Sequence, residues 1–291
     1  MEPITVVVRR GGIEEARHLV HAVAVQDGAV VAEAGDADLV TFLRSSAKPF
    51  QALPLVRARK DLTTQEIAIA AASHLSSPEQ LAAVRSLLAK APATDDELEC
   101  GAEPTPIEHN CSGKHAGMLA LCRTLGWDAR GYRFETHPVQ RGCLAEVVAA
   151  TGLGADELPV AVDGCGVPTW ALPLERMALA FAGFEQLDGG AEVAAAMRAH
   201  PELIRGPLAA DTLLMQELKG WTAKGGAEGL LCAAGPDGLG IAVKVEDGAT
   251  RAVRSGVAEL VSRLGFETGA LGVVPIENAH GELVGELVAR R

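Results

Sequence analysis

Strand-like segments stand at both ends of this chain, and helix-like segments fill the region between them. Ile4–Val8 is rich in β-branched residues, and Gly240–Val245 and Gly285–Ala289 are strand-like near the other end. A sheet built from such segments must pair strands that are far apart in sequence. The pattern therefore predicts an α+β fold, with sheet residues in about 1–45 and 220–291 and a helical region of about 46–219.

Turn and capping residues mark several element boundaries. Asp27-Gly28 separates the apolar runs 21–25 and 29–33, an arrangement typical of a β-hairpin. Thr63 and Ser77 each begin a capping-box pattern and therefore predict helix starts. Further helices are predicted over 111–125, 137–151, 174–181, 191–200 and 250–264, and further strands over 160–162 and 222–234.

The length and charge of the chain limit its fold and its partners. With 291 residues it is long enough for one large domain or two small ones. Aromatic residues make up only 3%, so the core must be built mainly from Ala, Val and Leu. The formal net charge of −12 argues against binding to nucleic acid or to anionic lipid, because both carry negative charge. A small cationic or zwitterionic substrate is compatible with it.

The N-terminal sequence and the cysteines bear on location. No segment reaches the roughly 20 apolar residues of a membrane helix. The N-terminal MEPITVVVRRGG lacks the basic start, apolar block and cleavage site of a signal peptide. We therefore expect a cytoplasmic protein. Its six widely spread cysteines then favour free thiols or metal ligands over a disulfide framework.

The first chemical motif is Ser45-Ser46-Ala47-Lys48. Ser45 and Lys48 are three residues apart and share one face if this segment is helical. A serine at a helix start also lies near the positive end of the helix dipole, and a neutral lysine beside it is able to accept the hydroxyl proton. The alternative interpretation is an N-cap serine followed by a solvated lysine. Taken alone, the spacing is weak evidence for catalysis.

The second motif is Lys224-Gly225-Gly226, inside a strand-like region close to the last predicted helix. Glycines in a strand allow another group to approach the backbone closely. A late Lys-Thr/Ser-Gly on a strand accompanies an early Ser-x-x-Lys in one class of serine hydrolases, although Gly225 occupies the middle position here. A β-bulge with an exposed lysine would explain the same residues. The order of the two motifs along the chain makes the pair more informative than either alone.

The third motif joins two Gly-containing segments, 109–117 and 163–166. Each carries a cysteine, Cys111 and Cys165, and the two thiols together are able to hold a metal ion. Neither segment has the usual zinc spacing, so two buried thiols remain an alternative interpretation. A nucleophilic pair of Cys111 and His115 is another.

Six motifs occur in one order: RSSAKPFQ, ASH followed by Ser77-Pro78-Glu79, HNCSGKHAGML, DGCGVP, HPELI and AKGGAEG. Together they resemble the asparaginase II family, the rhizobial-type L-asparaginases, from the N-terminal strands to the end of the chain. The resemblance implies a single catalytic domain over 1–291 that is similar to serine β-lactamases and glutaminases, with an antiparallel sheet packed against a helical region. It also implies hydrolysis of L-asparagine to L-aspartate and ammonia.

The resemblance assigns roles to individual residues. Ser45 would be the nucleophile and Lys48 its general base, while Ser77 and Lys224 would form a second Ser–Lys pair. Zinc would be the cofactor. For the second pair, Ser76 is an alternative to Ser77, and Lys244 is an alternative to Lys224. The residues implied in substrate binding are Arg44, His115 and Asp163, and those implied in zinc binding are Cys111, Lys114 and Cys165.

Elementary chemistry supports these implied roles. Two lysines in one partly dehydrated pocket repel each other as cations, so at least one should lose its proton. A lysine that ligates zinc must likewise be neutral. Two thiolates and one amine would leave a fourth position open. We therefore expect the metal to anchor the substrate or to hold the pocket together, rather than to activate a nucleophilic water.

Other functions are compatible with parts of the pattern. A glutaminase or a β-lactamase-like amidase shares the two lysine motifs, although such enzymes often use a tyrosine beside the nucleophile, and the one tyrosine here, Tyr132, lies outside the motifs. A catalytically inactive protein that binds a small molecule and a structural zinc is the alternative from a different class. We expect a homodimer, because homodimers are common among such enzymes.

Overall fold

The computed structural model describes residues 1–290, which divide into two compact units. Unit 1 comprises Met1–Thr41, Leu172–Ala182 and the chain from Leu208 onward. Unit 2 comprises Phe42–Ala171 and Gly183–Pro207. The single catalytic domain over 1–291 stays a prediction, and each unit is described separately below.

The secondary-structure elements of residues 1–290 follow one another along the chain. The strands are β1 (Ile4–Arg10), β2 (Ile13–Gln26), β3 (Ala29–Ala34), β4 (Val40–Phe42), β5 (Val160–Val162), β6 (Pro168–Pro173), β7 (Thr222–Gly225), β8 (Leu230–Ala234), β9 (Gly240–Val245), β10 (Val273–Glu277) and β11 (Leu283–Ala289). The α-helices are α1 (Lys48–Ala58), α2 (Thr64–Ala70), α3 (Pro78–Lys90), α4 (Ser112–Leu125), α5 (Pro138–Thr151), α6 (Leu174–Ala182), α7 (Gly190–Ala199), α8 (Pro201–Ile204), α9 (Ala210–Glu217) and α10 (Val253–Arg263).

Unit 1 is organised around one large antiparallel sheet. Over residues 1–290 this sheet has eight strands in the order β10-β11-β1-β2-β9-β8-β7, with β3 paired to β2. Strands from the two ends of the chain lie side by side, because β1 pairs with β11 and β2 pairs with β9. The structure therefore confirms the predicted α+β class and the predicted antiparallel sheet made from both ends of the chain.

Two neighbouring strands of this sheet, β8 and β9, are buried along their whole length. Every residue of β8 and of β9 is buried, which requires cover on both faces of the sheet. Helices α6 and α10 both pack against these strands. The approach is closest at Gly240, where a Cβ atom would lie 2.0 Å from the carbonyl oxygen of Ala178 in α6. Only glycine fits at this position, because any side chain would overlap the helix backbone.

Unit 2 is mainly helical, and α4 lies at its centre. This helix packs against α1, α2, α3 and α5. Its residues from Ser112 to Cys122 are all buried, so the polar side chains of its first turn are removed from solvent together with the apolar ones. At Gly113 a Cβ atom would come within 2.2 Å of the Ile69 carbonyl oxygen, which shows how closely α4 approaches α2. The centre of unit 2 therefore holds the polar groups of the HNCSGKHAGML motif.

Several element boundaries match the sequence predictions, and others do not. The hairpin at Asp27-Gly28 is confirmed, since β2 and β3 pair across it. The capping boxes at Thr63 and Ser77 are confirmed by reciprocal hydrogen bonds at the starts of α2 and α3. The predicted strand region 222–234 is in fact the hairpin of β7 and β8. Strands β6 and β10 and helix α9 were not predicted. Within residues 1–290, no helix is long and apolar enough to cross a membrane.

Candidate active site

The Ser45–Lys48 motif lies at the entry to α1 in unit 2. A 3-10 turn over Arg44–Ala47 leads directly into the helix, and Lys48 is its first residue. Arg44 has a positive φ of 48°, which is a strained conformation for a residue with a side chain. Its N–H donates to Thr169 Oγ1 at 3.0 Å. This contact holds the turn that presents Ser45.

The amine of Lys48 is buried and makes hydrogen bonds. Its side chain is only 1% exposed, and Nζ donates to the carbonyl oxygen of Ala72 at 2.5 Å and to Ser73 Oγ at 2.9 Å. Burial lowers the pKa of Lys48, and the positive charge of Lys114 lowers it further, while interactions with Cys111 and Cys165 oppose both effects. The lysine therefore releases its proton more readily than a solvated lysine, as a general base requires.

The serines near Lys48 differ in their accessibility and contacts. Ser45 is half-buried, and within residues 1–290 no hydrogen bond joins its hydroxyl to Lys48. Ser73 is 4% exposed, and its Oγ receives a hydrogen bond from Lys48. Ser77 is the N-cap of α3, where its Oγ accepts from the Gln80 N–H at 3.3 Å. Ser76 Oγ donates to the Glu108 carbonyl oxygen at 2.6 Å. The buried serine that contacts Lys48 is thus Ser73, which the sequence analysis missed.

The predicted zinc ligands come together at the start of α4. Lys114 Nζ lies 3.0 Å from Cys165 Sγ, and the side chains of Cys111 and Cys165 are hydrogen-bonded to each other. All three are buried, at 3%, 5% and 3% exposed for Lys114, Cys111 and Cys165. Lys48 also reaches the Cys111 side chain. Two lysines and two cysteines therefore form one buried cluster, called the Lys–Cys cluster below.

Charges in the Lys–Cys cluster stabilise one another. The hydrogen bond from Cys165 holds the pKa of Cys111 well below its ordinary value, and the charges of Lys48 and Lys114 add to this effect against the opposing effect of burial. Burial alone would lower the pKa of Lys114, but its interactions with Cys165 and Cys111 outweigh burial and raise that pKa. In this arrangement the cluster holds a thiolate beside an ammonium group.

The donor set of the Lys–Cys cluster fits a zinc ion. Thiolate sulfur and a neutral amine are both donors that zinc accepts, and Cys111, Lys114 and Cys165 converge within contact distance. Lys114 would have to lose its proton on metal binding. Among residues 1–290, no group of three His, Cys, Asp or Glu side chains is placed to hold a metal. A site here would therefore depend on the lysine as its third ligand.

His115 lies behind the Lys–Cys cluster, and its surroundings were not predicted. It is fully buried, and its Nδ1 atom is 2.8 Å from the hydroxyl of Tyr132. Tyr132 also accepts a hydrogen bond from the Glu99 N–H at 2.8 Å. The other ring nitrogen, Nε2, is buried without a hydrogen-bond partner of normal geometry among residues 1–290. The side chain of Cys165 is a hydrogen-bonding neighbour of His115. A buried ring nitrogen beside the Cys165 side chain is compatible with an ion in the cluster.

Asp163 and Arg44 form an ion pair in unit 2. Arg44 Nε donates to Asp163 Oδ1 at 2.7 Å, and the side chains are 29% and 10% exposed. Burial opposes ionisation of Asp163, but the positive charges of Lys114 and Arg44 prevail and lower its pKa. The pair therefore presents a guanidinium and a carboxylate side by side, both partly accessible.

The late lysines both lie on unit 1 strands. Lys224 on β7 is fully buried, and its Nζ donates to the Gly225 carbonyl oxygen at 2.7 Å and lies 3.8 Å from Asp211 Oδ2. Asp211 on α9 also accepts from the Gly225 N–H at 2.8 Å. Lys244 on β9 is 8% exposed and donates to the Val245 carbonyl oxygen. Lys224 is thus the lysine with a buried carboxylate beside it.

The structure assembles most of the predicted unit 2 residues. The structure also brings Ser73 and Tyr132 into contact with predicted site residues. The sequence carried only a weak signal for Ser73 and none for Tyr132. Ser73 lies within the ASH motif, so attention to the residue before His74 would have found it. Tyr132 lies outside every motif, and only the fold brings it to His115. The predicted residues that it brings together are Arg44 with Asp163, and Lys48 with Cys111, Lys114 and Cys165.

Comparison with known protein families decides where this chain belongs. A family model described as L-asparaginase II matches residues 6–289. The chain belongs to the L-asparaginase II family. Family membership makes it an amidohydrolase, and it confirms the resemblance that the motifs indicated. A comparison with curated proteins finds no match.

Two solved structures are similar in fold to this L-asparaginase II family member. A crystal structure of a protein named Mglu is 15% identical, with a TM-score of 0.49, over 87% of this chain and 69% of that chain. A probable glutaminase of Bacillus subtilis is 13% identical, with a TM-score of 0.33, over 79% of this chain and 83% of that chain. Identities and scores this low do not establish a shared function.

The positive φ at Arg44 leads to a prediction about stability. Arg44→Gly and Arg44→Ala both remove the ion pair with Asp163, but only glycine adopts a φ of 48° without strain. We expect Arg44→Gly to be more stable than Arg44→Ala by about 1 kcal/mol, measured by urea unfolding.

Arg141 provides the matched control, because it is exposed and lies inside helix α5. There the order should reverse, with Arg141→Gly less stable than Arg141→Ala by about 1 kcal/mol. Equal stabilities of the two Arg44 variants would contradict the interpretation of strain at this turn.

Proposed function

We propose that this chain is an L-asparaginase, which hydrolyses the side-chain amide of L-asparagine to give L-aspartate and ammonia. The observation that carries the proposal is the buried amine of Lys48, which lies three residues after Ser45 and contacts Ser73, in a member of the L-asparaginase II family. A buried lysine with a lowered pKa beside serine hydroxyls supports acyl transfer through a serine.

Ser45 is the proposed nucleophile, because a nucleophile must be reached by the substrate. Ser45 is half-buried at the strained turn, whereas Ser73 is 4% exposed. Ser73 is proposed to hold the Lys48 amine in place and to share its proton through their 2.9 Å hydrogen bond. This assignment gives the second serine to Ser73 in place of Ser77, whose hydroxyl caps α3.

The proposed reaction has two stages. Ser45 Oγ forms a bond to the amide carbon while Lys48 Nζ takes the hydroxyl proton. Backbone N–H groups stabilise the oxyanion. The carbon–nitrogen bond then breaks, and ammonia leaves with a proton returned by a lysine. In the second stage water attacks the β-aspartyl ester, and aspartate and the free serine hydroxyl are released.

Arg44 and Asp163 are proposed to bind the two charged ends of the amino acid. The guanidinium suits the α-carboxylate of the substrate, and the carboxylate of Asp163 suits its α-ammonium group. Both groups are partly accessible, and their 2.7 Å contact keeps them oriented. Such a pair would select a zwitterion, as the net charge of the chain allows.

Zinc is proposed as the cofactor, held by Cys111, Lys114 and Cys165. The ion would supply a Lewis acid that anchors the substrate or holds the pocket together. His115 supports these ligands from its buried position behind Cys165. Lys224 is proposed as the second catalytic lysine on the strength of its motif, its complete burial and its carboxylate neighbour Asp211. The cytoplasmic location and the homodimer stay predictions.

Replacement of the serines tests the nucleophile. We expect Ser45→Ala to lose at least about a thousandfold in kcat/KM for L-asparagine, because no acyl-enzyme forms without it. In Ser73→Ala, kcat/KM should fall about 10- to 100-fold, because Lys48 loses a hydrogen bond but stays in the same position. Ammonia release from L-asparagine, with L-glutamine in parallel, is the measurement.

Ser77→Ala separates the two assignments of the second serine. It should lower the free energy of unfolding by about 1 kcal/mol through loss of the N-cap, with kcat within about threefold of wild type. Substantial turnover by Ser45→Ala would move the nucleophile elsewhere. Ammonia release from L-glutamine alone would show that the protein is a glutaminase.

The two late lysines are distinguished by the same assay. Lys224→Met should lower kcat about a hundredfold or more, which is the usual size of a general acid–base contribution. Lys244→Met, on β9, should stay within about threefold of wild type. The opposite ranking, with both variants folded by circular dichroism, would assign the role to Lys244.

Removal of zinc tests the role of the metal. After dialysis against a chelator, KM for L-asparagine should rise far more than kcat falls, because the ion is proposed to anchor the substrate. Metal content is measured in parallel, and added zinc should restore KM. A fall in kcat as large as the rise in KM would contradict the anchoring role.

A further inference from the structure

The segment that follows Ser73 is fastened to the segment that leads into α4. His74 Nε2 lies 2.8 Å from Ser112 Oγ, and Ser76 Oγ donates to the Glu108 carbonyl oxygen at 2.6 Å. His74 is 1% exposed and Ser112 is completely buried. Their contact is therefore shielded from water, where a hydrogen bond is strong and costly to lose.

The hydrogen bonds around His74 fix the position of its proton. The Ser76 N–H donates to His74 Nδ1 at 3.2 Å, so Nδ1 carries a lone pair. Ser112 Oγ donates its only proton to the Ile107 carbonyl oxygen at 2.7 Å, so it is an acceptor toward His74. Both of these hydrogen bonds require the His74 ring to be neutral and to carry its proton on Nε2. Burial, with the charges of Lys48 and His109, lowers the pKa of His74 to about 4, which agrees with a neutral ring.

The two ends of this hydrogen bond belong to different parts of the site. His74 directly follows Ser73, the residue that contacts Lys48. Ser112 directly follows Cys111, and it precedes Lys114 by two residues in the first turn of α4. A shift of His74 relative to Ser112 would therefore displace the Lys48–Ser73 pair relative to two of the three proposed zinc ligands.

We propose that His74 is a positioning residue whose Nε2–H···Ser112 hydrogen bond sets the placement of the Lys48–Ser73 pair relative to Cys111 and Lys114. Zinc affinity and turnover then depend on the same hydrogen bond, although His74 touches neither the substrate nor the metal. The proposal rests on the proposed function, since it concerns the metal ligands and the base assigned there.

Two substitutions at His74 separate its two ring nitrogens. Glutamine places an amide N–H₂ near the position of Nε2 and is able to donate to Ser112. Asparagine is shorter, keeps a polar group near the position of Nδ1 and cannot reach Ser112. Zinc affinity is measured by competition with a chromophoric chelator, alongside kcat, KM and the thermal midpoint of unfolding.

We expect His74→Asn to weaken zinc binding by about 10- to 100-fold, the usual effect of losing a group that orients metal ligands. Its kcat should fall by about tenfold or more. His74→Gln should recover most of both losses. Ser112→Ala should resemble His74→Asn, and the double variant should be no worse than either single variant, because all three lack the same hydrogen bond.

Three results would overturn the proposal. One is wild-type zinc affinity and kcat in His74→Asn. Another is an equal loss of zinc affinity in the asparagine and glutamine variants that parallels their loss of thermal stability, since this would mark a purely structural role. The third is a wild-type protein that binds no zinc. Absence of ammonia release by a zinc-loaded wild type would instead contradict the proposed function, and the zinc affinities would still decide the role of His74.

Discussion

Two lysine amines are buried next to two cysteine thiols at the centre of unit 2, and this removal of charge from water constrains the rest of the site. Lys48 and Lys114 are 1% and 3% exposed. A buried ammonium is costly unless an opposite charge or a hydrogen-bond acceptor lies beside it. Cys111, whose pKa is held well below its ordinary value, supplies the opposite charge, and the Ala72 carbonyl oxygen supplies an acceptor. The cluster is stable only as a set, because the buried ammonium of Lys114 needs the sulfur atoms of Cys165 and Cys111 beside it.

The surroundings of the two lysines also give them different protonation states. Interactions with Cys165 and Cys111 favour the charged form of Lys114, whereas burial dominates at Lys48 and favours its neutral form. Two residues of one type, close together, therefore differ in their readiness to release a proton. This difference suits a site in which one amine serves as a base and the other either balances the thiolates or, once deprotonated, becomes a ligand.

The sequence predicted those parts of the fold that depend on local patterns. Capping residues such as Thr63 and Ser77 mark helix starts because their side chains satisfy backbone N–H groups only a few residues away. Strand β10 was missed because its edge position leaves a weak pattern that includes a proline. In the site, motif order identified the unit 2 residues that the structure brings together. Tyr132 and the contact of Ser73 with Lys48 depend on how helices pack, which no local pattern encodes.

The pairing of β1 with β11 joins residues near opposite ends of the chain. During synthesis, β1 leaves the ribosome long before β11, its partner on one side. The N-terminal hairpin of β2 and β3 can form early, but one edge of β1 keeps its backbone N–H and C=O groups unpaired until residue 289 has emerged. Such an open edge is able to pair with other chains. The nascent protein is therefore exposed to aggregation at this edge until β11 has been made, and β11 also protects β1.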